Sequence, residues 1–272
     1  MEKTLYLSDL DGTLLRSDRT LSAYTCRVIG RLAERGVCFS YATARSIETA
    51  RKVTKGIRVS LPVIVHNGAF IADSATGETL WSRLFSAQEA QAVFSAFTER
   101  GLVPLVYATI GGRPRFSYLT ARCSAAQRAF VASRMDDGRA REISSLAAAL
   151  DGDVYYFACI FEEEGALLAV KKELEGRFCC LYSRDIYTGA PWLEVMPAGV
   201  SKASAARVLQ EMLGCTKLVC FGDAVNDLAL FGEADERYAV ANADPVLKAA
   251  ATAVIGANDE DSVARWLEEN AG

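Results

Sequence analysis

The sequence predicts a doubly wound α/β domain into which a smaller α+β domain is inserted. At both ends of the chain, short apolar runs rich in β-branched residues alternate with amphipathic helical patterns. That alternation is typical of a parallel sheet covered by helices on both faces. In the middle of the chain, strand-like runs come in adjacent pairs, with Gly111-Gly112 as a hairpin turn. Such pairing favours an antiparallel sheet.

The two ends of the chain should therefore form one core domain, residues 1–79 and 192–272, with residues 80–191 as the insertion. The predicted core strands are Thr4–Ser8, Val37–Ala42, Val63–Val65, Lys217–Phe221, Tyr238–Ala241 and Ala253–Ile255. The predicted core helices are 22–35, 46–55, 202–213 and 261–270. In the insertion we predict helices at 87–100, 124–135 and 165–174, and strands at 103–109, 115–119, 154–161 and 178–183.

Composition excludes several classes of protein. A formal net charge of −4 argues against a broad nucleic-acid interface, which would need a basic excess. No apolar run approaches the roughly 18 residues that span a bilayer, and the N-terminus lacks the pattern of a signal peptide. The eight cysteines form no Cys-x-x-Cys pair and lie mostly in apolar segments, as expected of buried thiols in a reducing cytoplasm. The oligomeric state stays open.

Polar residues follow each of the four clearest core strands. Asp9 and Asp11 follow the first, Thr43 the second, Asn67 the third and Asp223 the fourth. In an open parallel sheet, ligands bind outside the carboxyl ends of the strands. The sequence therefore predicts a binding site at this edge of the sheet.

Carboxylates dominate the predicted site. If these loops are neighbours, three or four carboxyl groups converge, from Asp9, Asp11, Asp223 and Asp227, and like charges at that range repel unless a cation lies among them. Oxygen ligands without His or Cys suit Mg²⁺. The single histidine, His66, makes a Ser-His-Asp or histidine–metal mechanism improbable.

Two further residues point to phosphate. Lys202 stands at a predicted helix start, where free N–H groups and the helix dipole favour anions. Thr43 offers a hydroxyl donor at a neighbouring strand end. A cation, a lysine and hydroxyl or amide donors around a carboxylate describe a site for phosphoryl transfer.

Together these residues resemble the haloacid dehalogenase superfamily, specifically its Cof-like phosphatase branch. Five motifs occur in the order of that branch, over the full length of the chain. Leu193–Pro197 also resembles the strand that returns the chain to the core. The motifs are Asp9-Leu10-Asp11-Gly12-Thr13, Ala42-Thr43-Ala44-Arg45, Asn67-Gly68-Ala69, Gly199-Val200-Ser201-Lys202 and Gly222-Asp223-Ala224-Val225-Asn226-Asp227.

The resemblance implies a Rossmann-like core with an inserted cap domain, and an Mg²⁺-dependent mechanism. Asp9 would be the nucleophile and a metal ligand. Asp11 would be the general acid and base, and its backbone carbonyl would bind the metal. Asp223 would be a further metal ligand.

The remaining motif residues have supporting roles in the same scheme. Thr43 and Lys202 would hold the phosphoryl group. Asn226 and Asp227 would complete the surroundings of the metal. Two further positions have two interpretations each. Asn67 either contacts the substrate or the site, or only satisfies the backbone of a turn. Arg45 either contacts the substrate or the site, or forms an ion pair at the surface.

The resulting hypothesis is a phosphatase that hydrolyses a small phosphomonoester, such as a sugar phosphate, through an aspartyl phosphate. One alternative is a phosphotransferase of the hexose phosphomutase type. Another is a regulator that binds a phosphoester without turnover. This second alternative is suggested by Ala44, which occupies a position where members of the family usually have glycine.

Overall fold

The computed structural model describes residues 3–57, 60–135, 138–184 and 189–271. The contacts within the chain divide it into two compact units. The first contains Met1–Ser82 and Val200–Gly272, and the second contains Arg83–Gly199. Within the described residues, no helix is both long and apolar enough to cross a bilayer.

A parallel sheet of five strands forms the centre of the first unit, in the order β14-β13-β12-β1-β2. β1 lies between β12 and β2, and its last residue, Ser8, is opposite Phe221 on one side and Tyr41 on the other. The carboxyl ends of these three strands therefore lie side by side. The strands are β1 (Thr4–Ser8), β2 (Cys38–Tyr41), β12 (Lys217–Gly222), β13 (Glu236–Ala239) and β14 (Ala253–Val254).

Serine residues begin three of the helices of this unit. The side chains of Ser22, Ser46 and Ser201 each accept a hydrogen bond from a backbone N–H three residues later. Such caps satisfy donors that a helix start leaves free. The helices are α1 (Ala23–Glu34), α2 (Ile47–Thr54), α6 (Lys202–Leu213), α7 (Leu228–Glu233), α8 (Pro245–Ala250) and α9 (Ser262–Asn270).

Helices cover both faces of the parallel sheet, as the sequence predicts. On one face, Trp266 of α9 packs on Tyr6, Phe221 and Tyr238, with ring centroids 6.1, 5.1 and 4.5 Å away. α1 contacts α9, whereas α6 contacts α7. Leu5 and Leu7, which flank Tyr6 in β1 and alternate with it across the sheet, are fully buried, so the strand is covered on both sides.

A three-stranded antiparallel sheet lies beyond β2. Its strands are β3 (Pro62–Val65), β4 (Phe70–Asp73) and β5 (Thr79–Ser82), and a single parallel bridge, Ala42 to Ile64, joins β3 to the chain after β2. The prediction contained β3 but not β4 or β5. It also lacked α8, which has six residues, too few to establish a helical period.

The second unit is an α+β fold built on six strands in the order β10-β11-β9-β6-β7-β8. All neighbours are antiparallel except β7 and β8. The strands are β6 (Leu105–Ile110), β7 (Arg113–Tyr118), β8 (Ala140–Glu142), β9 (Asp153–Ile160), β10 (Cys179–Arg184) and β11 (Pro191–Met196). The helices are α3 (Ala87–Thr98), α4 (Ala125–Ala132) and α5 (Glu164–Leu174).

Aromatic residues lie at the centre of the apolar core of this unit. Phe85 packs edge-on against Phe157, with ring centroids 5.3 Å apart, and also contacts Phe178. Leu167 and Val170 of α5 complete this cluster and are fully buried. The Gly111-Gly112 turn between β6 and β7 follows the prediction, and both glycines have positive φ.

One strand that we predicted for the core domain lies in the second unit instead. Residues Leu193–Pro197 were expected to return the chain to the core, whose second segment was expected to begin at residue 192. Instead, β11 pairs with β9 and β10 in the sheet of the second unit, and the first unit resumes at Val200. Glu194 within β11 pairs with Ala158 and Leu181, so the strand has a neighbour on each side. The sequence of an apolar strand does not show which sheet the strand will join.

The α5 helix offers a matched test of the second core. Leu167 is fully buried, whereas its neighbour Leu168 is 42% exposed. We expect Leu167→Ala to lower the free energy of unfolding by about 2–5 kcal/mol through lost burial and a residual cavity. Leu168→Ala should change it by less than about 1 kcal/mol. Chemical unfolding followed by circular dichroism measures both, and equal losses would contradict the assignment of the buried face.

Candidate active site

The turn after β1 brings its carboxylates to the edge of the sheet. The Asp9 N–H donates to the carbonyl of Phe221 at 2.9 Å, which continues the pairing of β1 with β12. The chain then turns at Gly12, where φ is +78°. A Cβ at this position would meet the carboxyl group of Asp223, so a side chain here would displace that group as well as strain the backbone.

Asp9, Asp223 and Asp227 form one acidic group in the first unit. One carboxyl oxygen from each lies within 4.8 Å of the others. They converge because β1 and β12 are neighbours in parallel register, which places the loops after Ser8 and Gly222 side by side. Of the four carboxyl groups named in the sequence prediction, the structure places these three together, and Asp11 is not among them.

Lys202 lies within this acidic group. Its Nζ is 2.5 Å from Oδ1 of Asp9 and 2.7 Å from Oδ1 of Asp227, and the side chain is 2% exposed. It is the first residue of α6, so the start of the helix carries it to the carboxyl groups. Burying a charge is costly unless it is paired, and both carboxylates pair with the one ammonium group.

Burial and crowding shift the protonation of these groups. Burial raises the pKa of Asp9 above its ordinary 3.8, to about 8; Lys202 opposes the shift, while Asp227 and Asp223 add to it. Burial also raises the pKa of Asp223. Burial alone would lower the pKa of Lys202, but the attraction of Asp9 and Asp227 outweighs it and raises that pKa. One ammonium cannot neutralise three carboxylates, so the group holds a proton or attracts a cation.

Asp227 supports the loop that carries Asp223. Its Oδ2 accepts hydrogen bonds from the N–H groups of Asp223 and Ala224, at 3.2 and 3.3 Å. It is fully buried just before α7. Its neighbour Asn226 is exposed. The prediction named both residues as surroundings of the metal, and the structure brings Asp227 into the acidic group.

Asp11 points to a different partner. Arg45 donates to it twice, from Nε at 2.7 Å and from Nη2 at 2.5 Å. The Asp11 side chain is 46% exposed, and its carboxyl group is not part of the acidic group. The resemblance assigned the backbone carbonyl of Asp11, rather than its carboxylate, to the metal.

Thr43 and Asn67 lie together beside β2 and β3. The Thr43 N–H donates to the carbonyl of Ile64 at 2.9 Å, and the Asn67 N–H donates to the carbonyl of Thr43 at 3.0 Å. Both side chains are buried. Ala44, which follows Thr43, is exposed, so its methyl group is not packed in the protein interior.

The next turn contacts the start of α6. A Cβ at Gly68, where φ is +103°, would lie 2.1 Å from the carbonyl oxygen of Ser201. This close approach places the Asn67 turn beside the residue that precedes Lys202. The structure therefore assembles four predicted loops at one edge of the sheet.

Two residues that contact this site were not predicted as site residues. The Thr13 hydroxyl donates to Oδ1 of Asp223 at 2.9 Å, and the Asn242 amide donates to the carbonyl of Gly12 at 2.7 Å. Thr13 stands in the first motif, so the sequence contained a signal for it. Asn242 lies in a loop to which no motif drew attention.

The acidic group suits a divalent cation. Its possible ligands are carboxylate oxygens, without a sulfur or nitrogen atom from His or Cys, and hard oxygen donors favour Mg²⁺. Burial, and next to it the repulsion from Asp227, raises the pKa of Asp9 and of Asp223, and a cation between them would favour the charged carboxylates. Asp9 and Asp223 would hold the ion, with Asp227 next to it.

Comparison with known proteins gives relatives along nearly the whole chain. An HMP-PP phosphatase of Cronobacter sakazakii is 28% identical over 266 residues, covering 95% of this chain and 92% of the relative. A 5-amino-6-(5-phospho-D-ribitylamino)uracil phosphatase of Bacillus subtilis is 26% identical over 280 residues, covering 96% of each.

Solved structures show the same fold. A haloacid dehalogenase-like hydrolase from Bacteroides thetaiotaomicron superposes with a TM-score of 0.76 at 22% identity, covering 98% of this chain and 99% of the other. A protein from Eubacterium rectale reaches a TM-score of 0.82 at 20% identity, with 98% of both chains covered. The sequence model of the haloacid dehalogenase-like hydrolases matches residues 6–267. The chain therefore belongs to the haloacid dehalogenase-like hydrolase family, and it is an enzyme.

Proposed function

We propose that this protein is an Mg²⁺-dependent phosphohydrolase that acts through an aspartyl phosphate on Asp9. The observation that carries the proposal is the acidic group of Asp9, Asp223 and Asp227 with Lys202 buried in it. A carboxylate nucleophile beside a fixed cation matches what phosphoryl transfer requires, since positioning and electrostatics supply most of the catalysis.

In the first step, a carboxylate oxygen of Asp9 attacks phosphorus, and the bond from phosphorus to the ester oxygen breaks. The leaving alkoxide takes a proton from Asp11. Lys202, which is 2.5 Å from Asp9, neutralises charge on the phosphoryl oxygens. Buried Thr43 adds a hydroxyl donor. A bound Mg²⁺, held by Asp9, Asp223 and the Asp11 carbonyl, would supply further positive charge to these oxygens.

In the second step, water attacks the phosphorus of the aspartyl phosphate. The water gives a proton to Asp11, now a base, and the bond between phosphorus and Asp9 breaks to release inorganic phosphate. The paired hydrogen bonds from Arg45 hold Asp11 in one orientation. We assign Arg45 to this positioning of Asp11, and Asn67 to the wall of the site beside Thr43.

Small phosphorylated metabolites are the proposed substrates. The two relatives described above are named as phosphatases of HMP-PP and of a phosphoribitylaminouracil. Both are metabolites rather than macromolecules. With the negative net charge of the chain, this supports a soluble phosphoester as partner rather than nucleic acid. We place the activity in the cytoplasm, because all eight cysteines are free thiols, as expected in a reducing compartment.

Loss of the nucleophile should abolish turnover. We expect Asp9→Asn to lower Mg²⁺-dependent hydrolysis of para-nitrophenyl phosphate by about 10³-fold or more. Asp18→Asn is the matched control, because Asp18 is exposed and accepts its hydrogen bonds from Thr20; it should keep the parent rate. Parent enzyme that releases no phosphate with Mg²⁺ from this ester or from a panel of phosphorylated metabolites would overturn the proposal.

Asp11→Asn should trap the intermediate. Para-nitrophenolate leaves without a proton, so the first step continues, whereas hydrolysis loses its base. Intact mass spectrometry of the variant after reaction should find one added phosphoryl group, mapped to Asp9 by peptide analysis. An unmodified variant that turns over at the parent rate would exclude Asp11 from this role.

The raised pKa of Asp9 predicts how stability depends on pH. Between pH 4 and about 8 the folded state keeps a proton on Asp9 that the unfolded state has lost, so the metal-free protein becomes less stable as pH rises. One such group contributes up to about 1.4 kcal/mol per pH unit. Urea unfolding in EDTA at pH 5 to 8 measures the free energy of unfolding, which should fall less steeply with pH for Asp9→Asn than for the parent. Identical slopes for the two proteins would show that Asp9 titrates normally.

A further inference from the structure

The loop after β13 touches both loops that carry the acidic group. The Asn242 Nδ2 group donates to the carbonyl of Gly12 at 2.7 Å. Two residues later, the Asp244 N–H donates to the carbonyl of Asp223 at 2.7 Å. One short segment is therefore bonded to the turn after Asp11 and to the residue that follows β12.

The orientation of the Asn242 amide is fixed from its other side. Its Oδ1 accepts a hydrogen bond from the N–H of Asn258 at 3.0 Å. Asn258 is buried, and its own side chain donates to the carbonyl of Leu15 at 2.9 Å. Because the oxygen faces a backbone donor, the nitrogen of Asn242 must face Gly12.

A closed circuit of bonds results. Asn242 holds Gly12; the next residue, Thr13, donates to Oδ1 of Asp223 at 2.9 Å; and the carbonyl of Asp223 accepts from Asp244. The main chain from Asp244 back to Asn242 completes the circuit. The circuit fixes the distance between the turn that follows Asp11 and the carboxyl group of Asp223.

We propose that Asn242 is a positioning residue for the divalent-cation site. It acts through Gly12 and Thr13 on Asp223, and it touches neither the substrate nor the ion. The inference rests on the proposed function, because it assumes that Asp9 and Asp223 hold the ion. Partners that orient metal ligands typically change affinity by about 10–100-fold.

The test compares metal affinity in variants of the full chain. Asn242→Asp keeps the shape of the side chain and the acceptor for Asn258, but removes the donor to Gly12. Asn242→Ala also removes that donor and adds no charge. We expect both variants to weaken Mn²⁺ binding, followed by the electron paramagnetic resonance of free Mn²⁺, by about tenfold. The Mg²⁺ concentration for half-maximal activity should rise in parallel, with kcat at saturating Mg²⁺ changed much less.

Ser17→Ala is the matched control. The Ser17 hydroxyl donates to Asp259 at 2.7 Å, so it also links the segment after the first motif to the loop near Asn258, but it does not reach Gly12. Ser17→Ala should bind Mn²⁺ like the parent. Thermal unfolding in EDTA should show that neither Asn242 variant is destabilised more than this control.

The outcomes separate the inference from the proposed function. If both Asn242 variants bind Mn²⁺ with the parent affinity while Asp223→Asn does not bind, the inference is wrong and the proposed function stands. The inference also fails if Ser17→Ala weakens binding as much as the Asn242 variants. A parent protein that binds no Mn²⁺ would overturn both.

Discussion

The site depends on the ion pairs made by the buried ammonium group of Lys202. Its two partners, Asp9 and Asp227, come from loops after strands that are neighbours in the sheet. A buried charge requires partners with good geometry, and these partners exist only when β1, β12 and α6 are all in place. Assembly of the core and assembly of the site are thus one event. The same arrangement leaves an excess of carboxylate, because Lys202 is shared.

Glycine positions set how closely the loops approach. Gly12 lies against the carboxyl group of Asp223, and Gly68 lies against the carbonyl of Ser201. At both positions φ is positive, so a side chain would meet an unfavourable backbone conformation as well as a neighbouring atom. Sequence alone shows these glycines as parts of motifs. Their spatial neighbours, which give the physical reason, lie more than a hundred residues away in the chain.

The sequence predicted those parts of the fold that repeat a strong local pattern. The buried strands β1, β2 and β12 and the long helices α1 and α6 were found because apolar periodicity extends along them. The short elements β4, β5 and α8 were not, since four to six residues carry too little pattern. β11 was assigned to the wrong sheet because its apolar residues fit either core. Pairing partners depend on tertiary contacts that no local window contains.

The candidate site follows a similar division. Asp9, Lys202 and Asp223 were predicted to converge, because strand ends in a parallel sheet share one edge, and the structure brings them together. An ion pair was one of two interpretations of Arg45, but its partner, Asp11, could not be predicted because the sequence does not show which acidic residue lies beside it. Asn242 was missed because an asparagine in a loop has many possible hydrogen bonds. Only the structure shows which one it makes.

The order of the strands has a consequence for synthesis on the ribosome. β1 is synthesised before the other strands of its sheet, but one of its two neighbours, β12, comes much later in the chain. The residues that follow the two strands illustrate the separation, because Thr13 and Asp223 are 210 residues apart. The second unit is continuous in sequence, so all of its strands are available before the first unit can be completed. Until then, Leu5 and Leu7 have no β12 beside them, and long-range pairing of this kind is slow. A nascent chain should therefore contain a finished insertion while its N-terminal strands still expose apolar surface, which is the condition under which chaperones act.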